Sequence, residues 1–96
     1  MEKEMLVVAK FKEGEGKFEK FMGFMQSEEA IKERSKVADL SKTIATVSPD
    51  KSNVMFKIYV HDEIALKAFV NGSNPVSGPV FEEVISSYEI FELNKV

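Results

Sequence analysis

Beside its carboxylates and lysines, this 96-residue chain has few side chains suited to acid–base chemistry: one histidine, two tyrosines and no cysteine. His61 could serve as an acid–base or anchoring group at a pocket mouth or at a seam between two chains. The plainer reading is a strand-end imidazole hydrogen-bonded near Asp62. Tyr59 and Tyr88 could orient a ligand through their hydroxyls, or fill an interface as amphipathic rings. One imidazole without HxxxH or HExxH spacing builds no typical zinc site, so no metal is expected. Without cysteine there is no disulfide scaffold and no thiolate chemistry. The stretch Glu13-Gly14-Glu15-Gly16-Lys17 stands where a phosphate loop would stand. It offers only GxG, and its two glutamates repel phosphate. Glu28/Glu29 and Glu82/Glu83 are adjacent pairs that point apart on a helix, so neither is a carboxylate dyad. No cofactor is expected.

Apolar side chains are the richer signal. Residues 17–26, KFEKFMGFMQ, hold three phenylalanines and two methionines. Phe18, Phe21, Met22 and Met25 fall at i, i+3, i+4 and i+7, one stripe of a helix. Burial of each contributes about 1.5–3 kcal/mol, which is reason enough for their presence. It does not explain the choice of Met and Phe over Leu, Ile and Val. Methionine is pliable and suits irregular or ligand-bearing space. Phe56 and Ile58 from a facing strand, with Phe69 and Phe81 at the sides, complete an expected pocket for a small apolar or lipid-like molecule.

The elements that must position these residues follow from periodicity. Residues 5–12, MLVVAKFK, read as a strand whose odd positions are all apolar. Two helical pieces are expected at about 15–26 and 28–35, with Ser27 as the cap between them. Residues 36–48 read as a strand, irregular near Asp39, and 48–53 as a turn. Residues 53–61 are the clearest strand, with Val54, Phe56, Ile58 and Val60 on one face. Asp62 caps a helix that Asn71 and Gly72 stop. Pro79 opens a short helical turn, with Ser77 or Gly78 as cap, and residues 86–94 form the last strand. The order β-α-β-β-α-β predicts a single α+β domain. Its fold is the ferredoxin-like plait, a four-stranded antiparallel sheet with helices on one face.

The other sheet face would carry Leu6, Val8, Met55, Lys57 and Tyr59, with Lys10 and His61 beside them. That mixture is too apolar for water and too polar for a one-chain core. A homodimer packed sheet to sheet resolves it. The net charge of −3 and the interleaving of Lys10, Lys12, Lys17 and Lys20 with glutamates disfavour nucleic acid. No apolar run is long enough for a membrane span, and the start lacks the apolar stretch of a signal peptide, so the expected location is cytoplasmic. An RNA-recognition module shares the element order. It needs aromatics on the exposed faces of strands 1 and 3, where strand 1 offers Leu6 and Val8 and strand 3 reads SNVMFKIYV instead of a basic, Gly-containing aromatic motif.

From MLVVAKFK to YEIFEL, the pattern resembles the dimeric α/β-barrel superfamily of ferredoxin-like proteins. The most suggestive piece is SPDKSNVMFKIYVHDEIALKAFV (48–70): a Pro/Asp turn, a strand ending on a polar step, then a helix with Phe near its end. The superfamily includes antibiotic-biosynthesis-type monooxygenases, muconolactone isomerases and stress-responsive barrel proteins. The resemblance implies a sheet-to-sheet dimer with a pocket between the helices and the sheet of each subunit. It also implies an alternative to simple binding: a cofactor-independent monooxygenase or isomerase. Oxygenases of this kind often use an Asn/Trp/His set. This chain has no tryptophan, no asparagine in its first strand, and its histidine ends the third strand, so no catalytic residue is carried over.

Overall fold

Alternation in the first strand sets the architecture. In a computed structural model, which describes residues 3–94 and 96, β1 runs Lys3–Phe11 and buries Met5, Val7, Ala9 and Phe11. β3 (Asn53–Val60) lies antiparallel beside it, pairing Val7 with Phe56 and Ala9 with Val54. β4 (Ile85–Glu92) flanks β1 on the other side, and β2 (Ile44–Val47) flanks β3. The sheet order is β2-β3-β1-β4, antiparallel throughout. Among the described residues four helices cover one face: α1 (Lys17–Met25), α2 (Glu28–Val37), α3 (Glu63–Asn71) and α4 (Gly78–Val84). This is an α+β, ferredoxin-like fold. The buried cluster joins the inner face of the sheet to Phe21, Met25, Leu66, Phe69 and Phe81.

Local chemistry explains the boundaries. Ser27 breaks the helical run: its Oγ accepts from the Ala30 amide at 3.2 Å and donates to the Phe24 carbonyl at 2.6 Å. Asp62 caps α3 by accepting from the Ala65 amide. Gly72, at φ 92°, supplies the left-handed stop. Ser77 stands at the start of α4 but does not cap it through its side chain. Its buried hydroxyl donates instead to the Phe69 carbonyl at 2.7 Å and ties α4 to α3.

One expectation fails in part. The strand read over 36–48 shrinks to Ile44–Val47. α2 continues through Lys36 to Val37, because Val37 can bury itself against the core. Ala38 keeps only a single bridge to Val60. The Asp39 carboxylate then accepts from the Ser41 amide and hydroxyl, winding Leu40–Lys42 into a 3-10 turn. The short β2 that results is exposed along its whole length.

Candidate functional site

Phe21 is the hub of the helix–sheet layer and is 1 % exposed. Its ring centroid lies 5.3 Å from Phe11, 5.9 Å from Phe56 and 5.5 Å from Phe81. Phe81 in turn meets Phe69 edge-on at 5.4 Å. Rings at these separations attract beyond simple burial. They also cannot close perfectly on one another. Between them, Met25 and the inner face of the sheet remains a cavity of about 60 Å3 with nearly all-carbon walls. A single water requires roughly 10–15 Å3, so there is room for a small apolar group.

Of the eight residues expected to line a pocket, Phe21, Met25, Phe56, Ile58, Phe69 and Phe81 do line this cavity, and Phe18 and Met22 do not. Phe18 sits one turn earlier on α1. It packs edge-on against Phe11 at 5.9 Å, with the Lys51 ammonium 5.4 Å above its ring. Met22 is half-buried against the core. Tyr59 and His61 also lie outside the cavity. Tyr59 belongs to the outer sheet face, with the Lys42 ammonium 5.2 Å from its ring. His61 lies exposed in the bend before α3, its backbone amide donating to the Val37 carbonyl at 2.7 Å.

The polar groups that do reach the cavity wall are Arg34 and Thr43. Thr43 Oγ1 donates to the Asp39 carbonyl at 3.2 Å. Arg34 is half-buried, and its Nη1 donates to the Met25 carbonyl at 2.8 Å. Among the described residues no carboxylate pairs with it. Its sequence neighbour Glu33 is engaged elsewhere, by Lys36 at 2.9 Å and by the Asn74 amide at 3.3 Å. Burial pushes the Arg34 pKa down from its usual value, because desolvation disfavours the charged form. Sequence reasoning missed this residue, although a signal was present. Arg34 is the single arginine among twelve lysines, and it shares a helix face with the buried Ala30 and Val37.

The outer face of the sheet carries a second candidate surface. Strand register aligns Ile44, Lys57, Leu6 and Phe91 in one row, and Thr46, Met55, Val8 and Glu89 in the next. Ile44, Met55 and Phe91 are 56, 41 and 44 % exposed, so an apolar patch runs across the sheet. Lys57 pairs with Glu4 at 3.3 Å within the sheet. No metal-binding cluster of His, Cys, Asp or Glu occurs among the described residues. No helix among them is long and apolar enough to cross a membrane.

No protein-family profile and no curated protein matches the chain. Solved structures do match over nearly its full length. A Bacteroides thetaiotaomicron protein, provisionally named an antibiotic biosynthesis monooxygenase, superposes with a TM-score of 0.66 at 13% identity, covering 99% of this chain and 90% of that one. A Pseudomonas aeruginosa protein gives 0.62 at 11% identity, covering 99% and 94%. A Shewanella oneidensis protein gives 0.54 at 20% identity, covering 95% and 89%. At these identities the likeness shows a shared fold, the ferredoxin-like α+β arrangement described above.

Proposed function

We propose that the cavity holds a small apolar molecule, that two copies of the chain pack sheet to sheet, and that the bound molecule is a substrate for cofactor-independent oxygenation or isomerisation. The observation that carries the proposal is the nearly all-carbon cavity on which rings from α1, β3, α3 and α4 converge. Its volume of about 60 Å3 is less than half of the roughly 150 Å3 that takes up benzene whole, so it favours a short body, or a ring seated partly in the open mouth, over a long lipid chain. The likeness in fold to the Bacteroides protein supports chemistry over mere storage. A second reading, binding without turnover, is favoured by a lining whose polar groups are only Arg34 and Thr43. The exposed rows around Leu6, Met55 and Phe91 support the dimer, because a matching sheet would cover them.

The test is dioxygen uptake with a panel of electron-rich phenols and hydroquinones and no added cofactor, with product analysis for isomers. Turnover above the protein-free rate, lost when Phe56→Trp fills the cavity, is expected. Saturable binding with neither uptake nor isomerisation would leave the binding reading and remove the enzymatic one.

A further inference from the structure

The cavity is apolar except where Arg34 and Thr43 meet it, and Arg34 has a hydrogen bond to a carbonyl but, among the described residues, no carboxylate partner. A guanidinium half-removed from water gains from a partner that restores charge neutrality. Its planar fork, with one nitrogen committed to Met25, still presents donors suited to the two oxygens of a carboxylate. No carboxylate among the described residues fills that role: Glu33, the nearest in sequence, is held by Lys36 and Asn74.

We infer that the ligand is a small apolar carboxylic acid. Its carboxylate meets the Arg34 guanidinium at the cavity wall, and its carbon body enters the ring of phenylalanines. The inference rests on the reading of the cavity as the ligand site. It adds the chemical class of the ligand and the residue that selects it. Arg34 is then a specificity group: it discriminates acids from neutral molecules of the same shape, while the phenylalanines accept either.

Phenylacetate and phenylacetamide differ in charge and hardly at all in shape. Each is titrated into protein labelled with 13C at the methionine methyls, and the Met25 signal is followed. Phenylacetate is expected to bind about tenfold tighter than the amide, equivalent to about 1.4 kcal/mol, with the advantage shrinking as salt rises. Arg34→Gln should bring the acid down to the affinity of the amide and leave the amide unchanged. Arg34→Lys should keep part of the preference, as a point charge without the fork. Equal affinities in the unmodified protein would overturn the assignment of Arg34 and leave the cavity reading intact. A preference that survives Arg34→Gln would overturn it too, since another cation would be responsible. If neither compound moves the Met25 signal, the cavity reading itself fails and the inference fails with it.

Discussion

Arg34 reaches back across the break between α1 and α2 and donates to the Met25 carbonyl oxygen at 2.8 Å. The carbonyl belongs to the last turn of α1, where helix carbonyls lack an internal donor. The same residue thus closes a helix end and places a cation at the cavity wall. Loss of this charge-assisted hydrogen bond costs about 1.5–3 kcal/mol, and relief of a half-buried cation returns a comparable amount. Arg34→Gln should therefore change stability by less than about 1 kcal/mol in urea unfolding. A loss of about 3 kcal/mol or more would mark Arg34 as a structural brace.

Gly78 lies against Gly72. A Cβ on Gly78 would stand 2.5 Å from the Gly72 carbonyl oxygen, and that oxygen belongs to backbone that cannot swing aside. Gly78→Ala should destabilise by about 1–3 kcal/mol through overpacking, lowering the melting temperature. A melting temperature equal to that of the parent would show that the α3–α4 connection is not packed this closely.

Gly23 gives the opposite expectation. It sits exposed within α1, and a Cβ there meets nothing within 4 Å. Gly23→Ala should raise stability by up to about 1 kcal/mol, read as a higher urea midpoint at unchanged slope. A lower midpoint would mean that this face of α1 is covered in solution.

Acid should weaken the fold. Asp50 is held below the usual carboxylate range by hydrogen bonds from the Ser52 and Ser48 hydroxyls and the Ser52 amide. Glu63 is lowered by its hydrogen bond from Lys3, and Glu83 by that from Lys20. A depressed folded-state pKa adds stability above the unfolded pKa, and that stability is lost as pH falls through the folded value. The urea midpoint should therefore drop below about pH 5. Asp50→Asn should be less stable than the parent near neutrality, and the gap should close in acid. A gap independent of pH would contradict the role given to the Asp50 charge.

Much of this fold was legible because its signals are local and periodic. The alternation in Met5–Phe11 and Val54–Val60 placed both central strands, and Ser27, Asp62 and Gly72 marked helix ends by their own hydrogen-bonding or backbone preferences. The strand over 36–48 was misread because Val37 and Ala38 serve a strand pattern and a helix end equally well. Burial of Val37 and the Asp39 turn decided between them. The ring cluster was visible as composition, but composition could not tell that Phe18 faces Phe11 and a lysine rather than the cavity. Arg34 was hidden among charges because its meaning lies in its place at the cavity wall without a carboxylate partner among the described residues, and that is a property of three-dimensional placement.

The most direct test of the central claim uses the five methionines as reporters. Among Met5, Met22, Met25 and Met55, only Met25 lines the cavity. Toluene is titrated into protein labelled with 13C at the methionine methyls. The account predicts a saturable shift of the Met25 signal, with Met55 on the outer sheet face unmoved. A Met25 signal that stays fixed, or that drifts without saturation alongside Met55, would contradict an apolar ligand site between the helices and the sheet.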